Sequence, residues 1–88
     1  MNSYPTADFW ECYEALPAEI QDLADKAYDL WAENPYHPSL NFKKLKGIDY
    51  YSVRINENYR AIGYRITDGI VWIWIGTHAD YDRFIQKR

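Results

Sequence analysis

Polar and titratable side chains follow directly behind the most apolar segment of the chain. Residues 70–75 are all β-branched or aromatic, and such a run is too short for a buried helix but typical of a core strand. His78, Asp80, Tyr81 and Asp82 come next, and a histidine can accept or donate a proton near neutral pH. A rigid strand that presents these groups could carry an acid–base site, or it could be an ordinary strand end.

The other common site chemistries are absent from the sequence. It contains no Gly-rich phosphate loop, no His-Glu-x-x-His segment and no Gly-x-Ser-x-Gly segment. One cysteine and two histidines do not supply the usual ligands of a structural zinc site. We therefore predict neither a metal nor another cofactor. The single Cys12 excludes an internal disulfide and fits a reducing compartment.

The length of 88 residues allows a single domain, which we place at residues 1–88. The first residues lack the basic and apolar regions of a secretory signal. No apolar run approaches the roughly 20 residues that a membrane helix needs. We therefore expect a cytoplasmic protein without a membrane partner.

Charge is distributed unevenly along the chain. Residues 1–34 hold eight acidic residues and one basic residue, whereas residues 35–88 hold nine basic and five acidic residues, and the net charge is −3. This asymmetry predicts that a polyanion or an acidic peptide binds the second half, although an acidic helix face can also be simply solvated. The aromatic share of 18% means that some rings face solvent, where they often mark a binding surface.

Two helices are predicted in the acidic half. Thr6 is a candidate N-cap, and Phe9, Tyr13 and Leu16 follow at helical spacing. Pro17 breaks this helix and suits the start of a second one. In the second helix the apolar positions recur every three or four residues as far as the Asn34-Pro35 pair, with acidic residues between them.

Three strands are predicted in the basic half, at residues 50–56, 59–66 and 70–75, with a short helix at 79–87. Glu57-Asn58 forms the first hairpin connection, and Gly69 suits a positive φ in the second. The prediction is an α+β domain in which an N-terminal helical hairpin packs on one face of a small antiparallel β-meander. The opposite face would be partly open and would carry basic strand residues.

Four segments of the second half follow one another in a characteristic order and spacing. They are Leu45-Lys46-Gly47, Tyr51-Ser52-Val53-Arg54-Ile55, Asn58-Tyr59-Arg60-Ala61-Ile62 and Ile75-Gly76-Thr77-His78-Ala79-Asp80-Tyr81-Asp82. Together they resemble the RelE/ParE superfamily of bacterial type II toxins, and the last segment, from Gly76 onwards, is most similar to HigB-type members. The resemblance spans residues 17–83.

The resemblance implies a toxin that is neutralised by a cognate antitoxin. RelE- and HigB-like members cleave mRNA without a metal, typically on the ribosome, whereas ParE-like members poison DNA gyrase. Fold alone does not choose between these activities, and a catalytically degenerate member that only binds its antitoxin is a third interpretation. Members usually open with a β-strand, which this sequence is predicted to lack. Its absence would bring residues 70–75 nearer to an edge that the antitoxin could cover.

The resemblance also implies roles for individual residues. Cleavage of RNA requires charge stabilisation at phosphorus and proton transfer at the ribose and the leaving group. We predict that Arg60 stabilises the phosphate charge, that Arg54 positions the substrate and that His78 is the general acid or base. Tyr81 would stack a base or position a proton donor. The predicted contacts to backbone phosphates are Lys43, Lys44 and Lys46.

The sequence also allows other interpretations of these residues. Trp72 and Trp74 are predicted to bind the partner on the open sheet face. Either arginine could instead pair with Asp49 or Glu57, His78 could cap the last helix or bond the strand end, and Tyr81 could belong to the core. The antitoxin is expected to carry an acidic or amphipathic segment that covers the basic face.

Overall fold

The computed structural model describes residues 1–86 and contains one mixed sheet with helices on both sides. The strands lie in the spatial order β1-β5-β4-β3-β2, with β1 parallel to β5 and every other pair antiparallel. The elements in chain order are β1 Asn2–Pro5, α1 Ala7–Glu14, α2 Ala18–Glu33, β2 Lys43–Lys44, β3 Tyr50–Arg54, β4 Tyr59–Ile66, β5 Gly69–Thr77 and α3 His78–Gln86, with a 3-10 turn at Pro38–Leu40. The predicted α+β class is confirmed. Lys87, which closed the predicted terminal helix, lies outside the described residues.

The first strand, predicted to be absent, is present. Asn2–Pro5 pairs in parallel with the first half of β5, so β5 is an interior strand rather than one near an edge. The sequence prediction was wrong because four residues ending in proline are too short to show an alternating pattern. Their partner strand lies more than 60 residues away in sequence, beyond the reach of local pattern analysis.

Gly69 is required by a close approach of backbone rather than by a positive φ. Within residues 1–86, Gly47 is the glycine with a positive φ, at 81°, so the turn conformation predicted for Gly69 is wrong. A Cβ at Gly69 would lie 2.2 Å from the carbonyl oxygen of Asn2. Glycine therefore allows β1 to pair with β5 at the start of both strands.

The two faces of the sheet are covered by different helices. Trp31 of α2 and Phe9 of α1 pack in one cluster with Ala61, whereas Tyr81 and Phe84 of α3 pack in another against sheet residues that include the fully buried Ile62. Successive residues of a strand point to opposite faces, so Ala61 and Ile62 mark the two faces of the sheet. We term the face that carries Ala61 the hairpin face and the face that carries Ile62 the α3 face. The α3 face was predicted to be partly open, and α3 covers part of it.

A β-bulge in β5 changes which tryptophan is buried. Ile62 lies opposite Trp74 and Gly63 lies opposite Trp72, so Ile73 is the extra residue. Trp72 and Ile75 both join the hairpin-face cluster as a result, while Ile73 and Trp74 pack on the α3 side.

Trp72 is therefore not a partner-binding residue of the open surface, and that prediction is wrong. The side chain is 5% exposed. Its ring meets Trp31 edge to face at a centroid distance of 5.5 Å, and its Nε1 donates to Ser3 Oγ at 3.1 Å. Trp74 is half-buried beside Phe84, with ring centroids 5.9 Å apart, and its predicted role stays a prediction.

One carboxylate ties β1 to the turn between β4 and β5. Asp68 Oδ2 accepts hydrogen bonds from the Tyr4 hydroxyl at 2.9 Å and from Asn2 Nδ2 at 3.1 Å. The bond from Tyr4, and next that from Asn2, lower the pKa of Asp68 from its usual value of 3.8.

This arrangement predicts an acid-sensitive contribution to stability. Because the folded pKa lies below the unfolded one, the stabilisation is complete above about pH 4 and is lost as the pH falls through the folded pKa. Asp68→Asn should slightly lower the melting temperature at pH 7 and remove this part of the acid dependence. Asp49→Asn is the control, since its side chain is 98% exposed and its ion pair with Lys44, at 3.5 Å, adds little stability in water. Identical pH profiles of thermal unfolding for both variants would contradict the assignment.

Helix α1 begins at the side-chain cap predicted for it. Thr6 Oγ1 accepts from the Phe9 N–H at 3.2 Å and donates to the Trp72 carbonyl at 2.8 Å. The same cap thus starts the helix and fixes it beside β5. No helix within residues 1–86 combines the length and apolarity that crossing a membrane would require.

Candidate functional site

Strands β3 and β4 bring two arginines together on the α3 face. Arg54 and Arg60 are cross-strand partners, and two residues earlier Ser52 pairs with Ile62. Lys43 of β2 in turn pairs with Ser52. Because paired residues project to the same side of a sheet, Lys43, Arg54 and Arg60 all lie on the α3 face, in agreement with the alternation predicted for β3.

The turn between β3 and β4 holds the Arg60 side chain. The Nη1 atom of Arg60 donates hydrogen bonds to the carbonyl oxygens of Asn56 and Tyr59, the latter at 2.9 Å. Partial burial, and next the like charge of Arg54, lower the pKa of the Arg60 guanidinium, while Tyr81 and Asp82 act in the opposite direction. Tyr81 and Asp82 of α3 thus act on the Arg60 guanidinium.

Helix α3 places a histidine and a carboxylate next to the turn that holds Arg60. Thr77 Oγ1 accepts from the Asp80 N–H at 3.1 Å, which caps the helix. His78 is the first helical residue, and its backbone N–H donates to the Asn58 carbonyl at 2.7 Å. Its Nδ1 lies 3.1 Å from Asp82 Oδ2, one turn further along the helix, and both side chains are nearly half exposed.

Tyr81 lies beneath this pair rather than on the surface. It is 7% exposed, and its hydroxyl donates to Ser52 Oγ at 3.4 Å. The His78 ring meets the Tyr81 ring edge to face, with centroids 5.5 Å apart. Stacking of a base on Tyr81, one of its two predicted roles, is contradicted by this burial. The ring supports the imidazole from below, as the core interpretation of Tyr81 allowed.

The three lysines predicted to contact RNA do not form one surface. Lys43 is exposed on the α3 face, whereas Lys44 pairs with Tyr51 and therefore points to the other side, where its Nζ lies 3.5 Å from Asp49 Oδ1. Lys46 is exposed in the turn after β2. Lys43 is thus the lysine of this set that the sheet aligns with the arginines.

Arg54 and Arg60 are not paired with Asp49 or Glu57, the alternative that the sequence had left open. Within the described residues Asp49 pairs with Lys44, and neither Arg54 nor Arg60 makes an ion pair. Among the same residues no three side chains of the types His, Cys, Asp and Glu gather in a way that could hold a metal ion.

Asp82 is the site residue that sequence analysis did not assign. The signal was present, since residues 78 and 82 are separated by four positions and such residues share a helix face. It was not used because the terminal helix was predicted to begin after His78. The structure starts α3 at His78 itself, and this difference of one residue brings the imidazole and the carboxylate into contact.

The arrangement suits the chemistry of a phosphodiester. Two guanidinium groups on neighbouring strands can bind a phosphate and stabilise added negative charge. A histidine whose Nδ1 is held by a carboxylate presents its Nε2 for proton transfer. Both groups are supplied by the same sheet face and by the helix that packs on it.

Comparison with known proteins identifies the family. A sequence model described as the ParE-like toxin domain matches residues 18–83, which is most of the chain. The chain belongs to the ParE-like toxin family. The resemblance to the RelE/ParE superfamily is therefore confirmed, and the matched region includes the arginines of β3 and β4 as well as His78 and Asp82. No curated protein matches the sequence of this ParE-like chain significantly.

Solved structures of toxins share the fold of this ParE-like chain. RelE in the RelB–RelE antitoxin–toxin complex from Methanococcus jannaschii is 21% identical, with a TM-score of 0.73 and coverage of 92% of this chain and 98% of that one. The YoeB/ParE toxin from Agrobacterium tumefaciens is 20% identical, with a TM-score of 0.69 and coverage of 89% and 99%. YafQ from Escherichia coli is 12% identical, with a TM-score of 0.73 and coverage of 91% and 96%.

Proposed function

We propose that this ParE-like protein is the toxin of a type II toxin–antitoxin system and that it cleaves mRNA without a metal ion. The observation that carries the proposal is the grouping of Arg54, Arg60 and His78 on the α3 face, with Asp82 behind the imidazole. These are the groups that a phosphodiester cleavage by proton transfer and charge stabilisation requires.

Each residue has a defined task in the proposed reaction. The ribose 2′-oxygen attacks phosphorus, the bond between phosphorus and the 5′-oxygen breaks, and a 2′,3′-cyclic phosphate and a 5′-hydroxyl are formed. With its Nδ1–H donated to Asp82, His78 accepts the 2′ proton at Nε2, and water protonates the leaving oxygen. Arg60 stabilises the charge that accumulates on the phosphate oxygens, and Arg54 and Lys43 position the phosphodiester backbone.

Induced expression in a bacterial host tests the proposal. Growth should stop, and mapping of cellular mRNA should show new 5′ ends that are absent from uninduced cells. Comparison of translated and untranslated transcripts then shows whether cleavage depends on the ribosome. Growth arrest with intact mRNA would reject the nuclease, and soluble protein without any arrest would indicate a degenerate member that retains antitoxin binding alone.

A second candidate function is poisoning of DNA gyrase. The ParE-like description of the family that matches residues 18–83 favours it. In that case the α3 face would serve as a docking surface, and proton transfer by His78 would have no role. Gyrase supercoiling assays with purified protein separate the two candidates, since only a gyrase poison inhibits supercoiling while leaving mRNA intact.

The proposed protein partner is an antitoxin with an acidic or amphipathic segment that covers the α3 face. The exposed Lys43 and the arginine pair of β3 and β4 provide the complementary charge. The complex of RelB with RelE from Methanococcus jannaschii, a chain of the same fold, supports such a partner. Co-purification with the product of the neighbouring gene is the direct test.

Substitution of His78 separates acid–base chemistry from docking. Loss of a positioned acid or base costs about 10²- to 10⁴-fold in rate, so His78→Ala should reduce mRNA cleavage by that factor. Asp82→Asn should have a smaller effect of about 10- to 100-fold, as expected for a residue that orients a histidine. Cleavage is measured as the initial rate of appearance of 5′ ends.

The other histidine provides the matched control. His37 lies in the loop before the 3-10 turn, where its Nδ1 accepts from the Ser39 N–H at 3.2 Å, and it is not on the α3 face. His37→Ala should retain the rate of the unmodified protein. Full activity of His78→Ala would exclude histidine-dependent proton transfer from the mechanism.

A further inference from the structure

The connection between β3 and β4 contacts two proposed catalytic residues at once. Residues 55–58 link the strands, and the Ile55 N–H donates to the Tyr59 carbonyl at 3.1 Å. The carbonyl of Asn56 accepts from Arg60 Nη1, and the carbonyl of Asn58 accepts from the backbone N–H of His78 at 2.7 Å. The same short segment therefore forms hydrogen bonds with both Arg60 of β4 and His78, the first residue of α3.

The conformation of this connection is set by one side chain. Asn56 Oδ1 accepts a hydrogen bond from the Asn58 N–H at 2.8 Å. An asparagine that bonds the backbone two residues later replaces a backbone turn and fixes its direction. Asn56 is half-buried, whereas Glu57 and Asn58 are exposed, so the amide of Asn56 is the internal support of the turn.

We propose that Asn56 is a positioning residue of the cleavage site, a role that rests on the proposed nuclease function. Its amide oxygen holds the turn in the form in which the Asn56 carbonyl binds the Arg60 guanidinium and the Asn58 carbonyl binds the N-terminus of α3. The turn thereby fixes the Arg60 guanidinium relative to the backbone of His78, while Asp82 and Tyr81 hold the His78 imidazole.

The physical argument is one of pre-organisation. An arginine side chain has several rotatable bonds, and an exposed connection between strands samples many conformations unless local bonds restrain it. A group displaced by about 1 Å from its productive position can reduce the rate of reaction about 10²-fold. By anchoring both the cation and the helix start, the turn holds them in place before the RNA binds.

The test compares Asn56→Ala with Asn56→Ser. Alanine removes the acceptor oxygen, whereas a serine hydroxyl can accept from the same backbone N–H, although less well. We expect the single-turnover rate of mRNA cleavage on programmed ribosomes to fall about 10- to 100-fold in Asn56→Ala. The mRNA concentration for half-maximal rate should stay unchanged, and Asn56→Ser should recover most of the rate. Glu57→Ala is the control, since it changes the same turn without removing its internal bond.

A second measurement distinguishes failure of this inference from failure of the proposed function. Nuclear magnetic resonance of the purified protein reports on the His78 amide and the Arg60 Nε–H whether or not RNA is cleaved. In Asn56→Ala the His78 amide should exchange faster with solvent and the Arg60 signal should broaden, with both effects reversed in Asn56→Ser. If the unmodified chain fails to cleave mRNA, the nuclease proposal fails, and with it the functional role of Asn56.

Two results would overturn the role of Asn56 in an active nuclease. The first is an Asn56→Ala variant with unchanged rate and unchanged resonances. The second is a loss of rate that serine does not recover, because the acceptor oxygen would then not be the feature that matters. Thermal unfolding of both variants shows that the comparison is made on folded protein, and Asn56→Ser carries the test if Asn56→Ala does not fold.

Discussion

Arg60→Ala is expected to abolish mRNA cleavage and growth arrest while leaving the protein folded. Removal of one preorganised group that stabilises developing charge costs about 10²- to 10³-fold in rate. In this chain Arg60 is held by two backbone carbonyls and stands opposite Arg54. The alanine variant therefore loses the side chain that we propose stabilises the phosphate charge. The measurement is the frequency of new mRNA 5′ ends after induction, with growth followed in parallel.

Arg65→Ala is the matched control for this substitution. It removes the same charge from the same strand, but Arg65 is exposed and lies opposite Ile70, far from Gly76, the β5 partner of Arg60. It should leave cleavage and growth arrest unchanged. Arg60→Lys should show an intermediate loss, since an ammonium group keeps the charge without the planar fork that binds two oxygens. Equal toxicity of Arg60→Ala and Arg65→Ala would refute the role of Arg60.

Trp31→Ala should destabilise the domain by about 3–5 kcal/mol, the usual cost of truncating a buried aromatic residue to alanine. Trp31 is 2% exposed and meets both Trp72 and Phe42 edge to face, at centroid distances of 5.5 and 5.9 Å. It also lines a cavity of about 320 Å³ between the helical hairpin and the sheet. Truncation enlarges a space that the surrounding residues have not closed, so little of the loss is recovered by relaxation.

The expected loss is a large share of the total stability of so small a domain, which is on the order of 4–13 kcal/mol at this length. Urea unfolding measures the change in free energy. Trp10→Ala is the control, because Trp10 is 47% exposed and its truncation should cost about 1 kcal/mol. Equal losses for both tryptophans would contradict the burial of Trp31. Trp31→Phe keeps an aromatic ring at this position, so its smaller loss stays measurable if the alanine variant does not fold.

Sequence patterns predicted some residues of the site and missed others. Alternation in β3 placed Arg54 on the polar side of its strand, and the apolar run of β5 placed His78 at a strand end. Both predictions depended on periodicity within one element. Asp82 was missed because its contact with His78 depends on the exact start of α3, and the role proposed for Asn56 depends on a turn whose carbonyls meet residues of β4 and α3.

The sequence by itself determined the helices of the acidic half, the hairpins of β3 to β5, the fold class and the family. Each of these follows from the period of apolar residues along a continuous segment or from motifs in a fixed order. Only the tertiary structure decided that β1 exists, that Trp72 is buried and that α3 lies opposite the helical hairpin. The parallel pairing of Asn2–Pro5 with β5, the bulge at Ile73 and the packing of α3 on Ile62 arise between segments distant in sequence. Their free energy comes from shared burial and backbone pairing that no single segment encodes.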